Sequence, residues 1–187
     1  DKAKKWVRYE EFRNDPLLNP LGTPSGKIEI YSDTVAKMNY DDCKGHATWM
    51  VPDEFAGNVT PEAPLALVTP HPYYRLHSQL AHTSLRQKYA VNDREPVIIH
   101  KEDAAARGIA NGDIVRIFNK RGQVLAGAVV TDGIIKGTVA LREGAWYDPA
   151  DLGQSELPLC KNGCPNVLTR DEGTSKLAQG NSPNTCI

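Results

Sequence analysis

The sequence has no excess of charge of either sign. It carries 22 Lys and Arg against 23 Asp and Glu, a formal net charge of -1. Binding to a phosphate backbone needs a clustered excess of Lys and Arg that releases counterions. The balance therefore excludes nucleic acid as the main partner and leaves local anion sites open.

Long apolar runs are also absent. No segment approaches the roughly 20 consecutive apolar residues that cross a bilayer, so no membrane insertion is predicted. The first six residues are not followed by the apolar core, about 7–15 residues long, of a secretory signal. The chain begins without Met. We expect a mature product or a piece cut from a longer chain.

Cysteine is scarce, with Cys43, Cys160, Cys164 and Cys186 spread along 187 residues. Four scattered cysteines do not make a disulfide-stapled scaffold. The Cys160–Cys164 pair could be a bridge, half a zinc site or two structural thiols, and the absence of a second zinc-like pair favours structural thiols. A redox function would require an exposed pair with a lowered thiol pKa.

Residues 1–60 are irregular and rich in turn formers. Pro, Gly, Asn and Ser cluster in residues 19–26. Lys27–Tyr31 then alternates polar and apolar side chains, which predicts a short half-buried strand. Ser32 and Asp33 can cap a brief helix that ends at Met38.

A different pattern begins at Leu65, where short apolar runs recur about every ten residues. The predicted strands are residues 65–69, 96–100, 114–118, 123–131 and 137–142, with a hairpin turn at 119–122, a bulge or bend at Gly127 and a helix over 101–107. This spacing predicts a mainly β domain, a closed or nearly closed barrel with its core in residues 65–147. The composition of residues 148–187 predicts a poorly ordered tail, or a segment ordered by a ligand or by another part of the protein.

The richest polar cluster follows the first buried strand. It includes Arg75, His77, Ser78 and Gln79, and loops at strand ends often carry sites. A guanidinium fork beside shorter donors suits an anionic, hydrogen-bonding ligand. The alternative is a solvated loop. A metal site on the three histidines at 71, 77 and 82 is disfavoured, because their spacing is not helical and no carboxylate is near in sequence.

A second candidate lies in residues 166–175. Asn166 and Asp171 could read the donor and acceptor edge of a heterocycle such as guanine. The alternative is a plain turn followed by one helical turn. Because no complete catalytic apparatus stands out, we assign no catalytic residue and no metal ligand to the chain and interpret it as a binding module.

Several segments occur in the order typical of one family. The chain resembles the C-terminal molybdopterin-dinucleotide-binding domain of the DMSO reductase family, in the branch of trimethylamine-N-oxide and biotin sulfoxide reductases. Residues 19–32 resemble the stretch just upstream of that domain. The segments that carry the resemblance are residues 70–79, 111–115, 142–147, 166–169 and 178–180.

The resemblance implies a six-stranded double-psi β-barrel with short helices, an irregular N-terminal segment and a C-terminal tail. Residues 1–60 would be the end of an upstream catalytic domain or linker, and 61–187 the binding domain with its extension 148–187. The cofactor would be bis(molybdopterin guanine dinucleotide) with molybdenum. Its contacts would be Arg75, His77, Ser78 and Gln79 along one arm, and Asn166 and Asp171 from the C-terminal segment, with the tail ordered by cofactor and other domains.

The resemblance also implies that the intact enzyme reduces an N-oxide or S-oxide at molybdenum, and that this chain alone is inactive. Its partners would be the upstream domains of the same polypeptide and a c-type cytochrome electron donor. Its location would be the periplasm, through a signal not present in this chain. The alternative function is a stand-alone double-psi barrel that binds peptides as an adaptor, because a fold does not fix a function.

Overall fold

The computed structural model describes residues 5–151, 153, 156–157, 159–180 and 184–187. It divides into an N-terminal unit, Asp1–Met50 with Ser175–Leu177, and a barrel unit, Val51–Thr174 with Ala178–Ile187. The helices are α1 (Glu10–Asn14), α2 (Asp33–Lys37), α3 (Lys101–Ala105) and the 3₁₀ helices Ser84–Lys88 and Pro165–Val167. The strands are β1 (Ala66–Val68), β2 (Pro96–His100), β3 (Ile114–Asn119), β4 (Gly122–Thr131), β5 (Thr138–Leu141), β6 (Leu159–Cys160) and β7 (Thr185–Cys186).

The strands of the barrel unit form one curled sheet in the order β3-β4-β2-β5-β1-β7, with β6 paired to β4. Three pairs are parallel (β1 with β5, β2 with β4, β4 with β6) and three are antiparallel (β1 with β7, β2 with β5, β3 with β4). The predicted mainly β, barrel-like fold with short helices is confirmed.

The centre of the sheet follows directly from the sequence. The apolar, β-branched run Pro96–His100 forms β2, which pairs with strands on both edges. His100 then caps α3, because its Nδ1 accepts a hydrogen bond from the backbone N–H of Glu102 at 3.2 Å. The helix ends earlier than the predicted residue 107, with Ala106 at its C-cap, so the prediction of Gly108 as the C-cap is wrong. Gly108, with φ of 65°, lies in the turn that follows.

The hairpin between β3 and β4 is confirmed, with Asn119 paired to Gly122 across a two-residue turn. Of the predicted bulge or bend at Gly127, the bulge is wrong, because the register runs unbroken to the pair of Ile114 with Gly127, and the bend stays a prediction. Gly127 is instead a point of close approach, since an added Cβ would lie 2.4 Å from the Cβ of Val91.

The core extends beyond the predicted residues 65–147. It contains Leu67, Val97, Val139 and Leu141 from the strands, but also Cys160, Cys164 and Leu168 from the C-terminal segment. The expectation of a disordered tail is therefore wrong for described residues such as these and for β6 and β7. Composition underestimated this segment because a few buried small side chains and strand hydrogen bonds tie it to the sheet.

The N-terminal unit has a different character. Ser32 caps α2 as predicted, its Oγ accepting from the N–H of Val35 at 3.3 Å. The predicted strand at Lys27–Tyr31 does not form, and Ile28 and Ile30 are 74% and 84% exposed. Across residues 5–50 no side chain is buried. Alternation alone does not make a strand when no neighbouring strand lies beside it.

Among the described residues, no helix is long and apolar enough to cross a membrane.

Candidate functional site

The loop after β1 is organised around a buried arginine. The side chain of Arg75 is 0% exposed. Its Nε donates to the backbone oxygen of His77 at 3.1 Å and its Nη2 to that of Glu143 at 2.7 Å. Its Nη1 donates to Tyr89 Oη at 3.0 Å and to Glu95 Oε2 at 2.7 Å. Every guanidinium nitrogen thus has a protein partner.

The charge of this arginine is stabilised inside the protein. Burial lowers the pKa of Arg75, but the hydrogen bond and charge of Glu95 outweigh it and raise the pKa above its ordinary value. Sequence reasoning took Arg75 as a ligand-binding fork. The structure shows that a protein carboxylate, Glu95, already occupies that fork.

Glu95 extends the network to a second arginine. Its Oε1 accepts from Arg86 Nη1 at 3.1 Å, and Arg86 Nη2 donates to Asn162 Oδ1 at 2.8 Å. Asn162 Nδ2 donates to the backbone oxygen of Trp146 at 3.0 Å, and Trp146 Nε1 donates to that of Ser78 at 2.8 Å. Hydrogen bonds therefore connect Glu95 to the loop after β1 by two routes, directly through Arg75 and through Arg86, Asn162 and Trp146.

Residues 75–79 and 143–146 form one surface, which we call the pinned wall. Gly144 allows their close approach, because an added Cβ would lie 2.3 Å from the backbone oxygen of His77. His77, Ser78 and Gln79 are exposed. Within the described residues the side chains of Ser78 and Gln79 make no hydrogen bond, so their polar groups are available to a ligand.

A carboxylate missed by the sequence reasoning joins this wall. Glu143 Oε1 lies 2.9 Å from His71 Nδ1 and 3.1 Å from His77 Nδ1. Glu143 is 66 residues from His77 in sequence, so no local pattern could have indicated the contact. His82 lies elsewhere, with its ring 5.1 Å from that of Trp146. The side chains of His71 and His77 are 77% and 60% exposed. When protonated, they form surface ion pairs with Glu143.

The second candidate region borders a cleft of about 900 Å³. Asp171 lies on its lining and is exposed. Beside it, Arg170 Nη1 donates to Asp53 Oδ2 at 2.6 Å, and Arg170 also pairs with Glu172. Residues 171–180 form no helix, so the one-turn helix considered for this segment is absent.

The floor of this cleft is fixed by a bidentate ion pair. Both oxygens of Glu54 accept from Arg121, each at 2.7 Å, and Oε2 also accepts from the N–H of Cys186 at 2.9 Å and from Thr185 Oγ1 at 2.8 Å. The hydrogen bond from Arg121 is the main cause that lowers the pKa of Glu54 from 4.5 to about 2. The carboxylate remains charged in all but strong acid.

Asn166 is exposed on the 3₁₀ helix that precedes Leu168. The segment is anchored by Asn119, whose Nδ2 donates to the backbone oxygens of Leu168 at 2.9 Å and Cys186 at 3.0 Å. Among the described residues, no hydrogen bond or ion pair joins Asn166 or Asp171 to residues 75–79. Asp171 lines the cleft, and none of residues 75–79 is among the residues that line it.

The cysteines do not form a reactive pair. All four are free, and Cys160, Cys164 and Cys186 are buried. Burial raises the pKa of the Cys164 thiol, and burial followed by the charge of Glu54 raises that of Cys186. These are the opposite of the conditions that a thiol redox function requires, and they support the prediction of structural thiols.

Comparison with protein families matches residues 65–187, about two thirds of the chain, to the family described as "Molydopterin dinucleotide binding domain". The whole chain is 84% identical over 187 residues to a trimethylamine-N-oxide reductase of Haemophilus influenzae, of which it covers 23%. It is 56% identical over 186 residues to a dimethyl sulfoxide/trimethylamine N-oxide reductase of Cereibacter sphaeroides, of which it covers 22%. The chain therefore spans less than a quarter of the length of these relatives.

Among solved structures, the acetylene hydratase of Pelobacter acetylenicus is similar with a TM-score of 0.70. The match covers 96% of this chain and 26% of that chain at 16% identity. At this level of identity the likeness concerns the fold.

Proposed function

The chain belongs to the molybdopterin dinucleotide binding domain family, and from this premise we propose that it is the C-terminal cofactor-binding part of a molybdenum N-oxide or S-oxide reductase of the trimethylamine-N-oxide reductase type. The observation that carries the proposal is 84% identity along the whole chain to such a reductase. Because the chain covers 23% of that relative, activity would belong to the longer polypeptide and the chain alone would be inactive.

The pinned wall suits one arm of bis(molybdopterin guanine dinucleotide). His77, Ser78 and Gln79 offer exposed donors and acceptors for phosphate and pterin groups. Arg75, also assigned to this arm from the sequence, would act mainly by fixing the loop, since its guanidinium nitrogens already bond within the protein. When bound, the group would supply the molybdenum that accepts an oxygen atom from the substrate.

The C-terminal segment suits the guanine end. Asp171 is an exposed carboxylate that can accept the two N–H groups of a guanine edge, and Asn166 can donate and accept. The cleft beside Asp171, about 900 Å³, is within the range of ligand sites. The site residues of the proposal are therefore Arg75, His77, Ser78, Gln79, Asn166 and Asp171.

The same proposal assigns residues 1–60 to the end of an upstream domain or linker, and 61–187 to the binding domain with its extension 148–187. It assigns the curled sheet to the double-psi class of barrels. The adaptor alternative expects a barrel that works without residues 148–187. Burial of Cys160, Leu168 and Cys186 counts against it, because deleting them would remove part of the core.

The parent protein would act in the periplasm during anaerobic respiration, with the upstream domains of the same polypeptide as partners and a c-type cytochrome as electron donor. Fractionation of cells that express the intact polypeptide checks the location. The proposal expects activity and antigen in the periplasmic fraction, and finding both in the cytosol would overturn this part.

The test of the function uses the intact polypeptide. It should contain molybdenum and release guanosine monophosphate on acid hydrolysis, and it should oxidise a reduced viologen when trimethylamine N-oxide is added. Changing Ser78→Ala with Gln79→Ala should lower the guanosine monophosphate content, whereas Asp132→Asn, an exposed change in the turn after β4, should not. An intact polypeptide free of guanine nucleotide and molybdenum would refute the proposal.

A further inference from the structure

Residues 27–31 have the sequence pattern of a strand, but their apolar side chains are exposed. Ile28 and Ile30 alternate with Lys27, Glu29 and Tyr31, which is the pattern of a strand with one apolar face. The two isoleucines are 74% and 84% exposed. Single exposed apolar residues are common on protein surfaces, but an alternating pair on one short segment is the mark of a face that packs.

Beyond Lys27, whose N–H donates to Ser25 Oγ at 3.3 Å and whose oxygen accepts from Thr23 Oγ1 at 2.6 Å, the backbone of the same segment is unpaired. Among the described residues, the N–H and C=O groups of residues 28–31 have no hydrogen-bond partner. A row of free backbone groups flanked by β-branched side chains is a template for pairing with another strand. Both requirements of a sheet strand, an apolar face and free ladder groups, are therefore present without a neighbour.

The segment is held in place at both of its ends. Before it, Leu21 N donates to the backbone oxygen of Gly26 at 2.8 Å, which closes a turn. After it, Ser32 N donates to the backbone oxygen of Gly45 at 2.6 Å, and Ser32 also caps α2. The segment is thus restrained at both ends, and because residues 27, 30 and 31 lie in bends, pairing requires it to straighten.

The face opposite the two isoleucines is only partly covered, at Tyr31, which is 53% exposed. An added Cβ on Gly45 would lie 2.9 Å from the ring of Tyr31, and that ring makes an edge contact with His46, with centroids 6.0 Å apart. Tyr31 therefore packs within the N-terminal unit. Ile28 and Ile30 have no such ring contact with any residue that the structure describes.

The N-terminal unit also lacks a core of its own, because no side chain in residues 5–50 is buried. With only partly buried side chains, a unit of this size has little apolar burial to offset its chain entropy. The relatives are more than four times longer than this chain, which covers 23% and 22% of them. The missing cover is therefore to be found in the rest of such a polypeptide.

We propose that residues 27–31 add as a strand to an open sheet edge in the remainder of the parent polypeptide, with Ile28 and Ile30 packed on the apolar face of that sheet. The occupant is a strand of the same polypeptide outside these 187 residues, joined by strand addition. The inference rests on the proposed function only in taking the chain as part of a longer polypeptide.

Hydrogen exchange of the intact polypeptide tests the pairing. Alternate amides of residues 28–31, those whose N–H groups face the partner strand, should exchange at least about 100-fold more slowly than an unstructured chain. Exchange at the unstructured rate would overturn the proposal. Molybdenum and guanine nucleotide are measured on the same sample, so that protection without cofactor would refute the proposed function alone, and cofactor without protection would refute this inference alone.

The partner is identified with a photo-crosslinking residue placed at position 30 of the intact polypeptide. The expected product joins it to a peptide outside the 187 residues, in the same molecule. Crosslinks only within the 187 residues, or only between two copies, would overturn the proposal. A crosslinker at Ile135, which is 80% exposed in the loop before β5, is the matched control for labelling that follows exposure alone.

Discussion

The barrel unit and the N-terminal unit use similar strand-forming sequences with opposite results. Pro96–His100 and Lys27–Tyr31 are both five-residue segments with β-branched side chains, yet only the first has strand partners on its edges. In the barrel unit Val97 and Ile99 are 3% and 4% exposed, whereas Ile28 and Ile30 are largely exposed. The comparison shows that a strand pattern specifies a capacity for pairing, and that neighbours decide whether it is used.

The buried charges sharpen the same contrast. The barrel unit encloses Arg75 and Glu95 with side chains 0% exposed, while the pair of Asp41 and Lys176 in the N-terminal unit is 80% and 59% exposed. A buried pair is costly to break because one charge is left without a partner. An exposed pair contributes little.

The largest effect should come from breaking the buried network. Replacing Glu95→Ala leaves Arg75 and Arg86 without their carboxylate, which should lower the free energy of unfolding by about 3–5 kcal/mol. Urea titration followed by circular dichroism measures it. Glu102→Ala, which removes the exposed partner of Lys136, is the matched control and should change stability barely measurably. Equal effects of the two substitutions would contradict the contrast.

The core of the C-terminal segment should be nearly as sensitive. Leu168 is 0% exposed, so Leu168→Ala should cost about 2–5 kcal/mol through a cavity and lost burial. Leu177→Ala, at a side chain 41% exposed, is the control. A loss below about 1 kcal/mol, on the scale of an ordinary surface change, would show that the segment is not part of the core.

The next effect depends on pH. The pKa of Glu54 is lowered from 4.5 to about 2. A lowered pKa adds stability that is complete above 4.5 and is lost as pH falls from 4.5 towards 2. The full shift corresponds to about 3 kcal/mol, and solvent screening of this partly exposed pair lowers it to on the order of 2 kcal/mol. The midpoint temperature of thermal unfolding should therefore fall less between pH 6 and pH 2.5 in Glu54→Gln than in the unchanged chain. If the midpoint temperatures of the two chains fall in parallel, the loss of stability in acid belongs to groups other than Glu54.

The smallest effect should come from the N-terminal unit. In the 187-residue chain Ile30→Ala removes an exposed side chain and should change the free energy of unfolding by less than about 0.5 kcal/mol. Ile99→Ala, the same substitution at a buried position, should cost about 2–5 kcal/mol. A large loss at Ile30 in this chain would mean that the segment already has a partner within it.

These contrasts also explain what the sequence could predict. β2, α3, the turn between β3 and β4 and the cap of α2 depend on neighbouring residues, and local patterns predicted them. Glu143 beside His77 and Glu95 beside Arg75 depend on the return of distant segments, so local patterns could not. The burial of Arg75 could not be predicted for the same reason, because an arginine side chain is rarely buried without a carboxylate partner such as Glu95.

The predictions for the C-terminal tail and for a strand at Lys27–Tyr31 were wrong in opposite directions. Composition predicted too little order for residues 159–180 and 184–187, because the buried cysteines and Leu168 are few but lie in the core. Alternation assigned too much order to residues 27–31, because periodicity does not report whether a partner is present. Which of His77, Ser78, Gln79, Asn166 and Asp171 contact the cofactor stays a prediction.

In the part of the chain that the structure describes, the barrel unit has its own core, whereas the backbone groups of residues 28–31 have no hydrogen-bond partner. Hydrogen exchange of the 187-residue chain measures both at once. The amides of Val97, Ile99 and Val124 should exchange only through global unfolding. The amides of residues 28–31 should exchange at the rate of an unstructured peptide. Equal protection of the two groups would contradict this contrast.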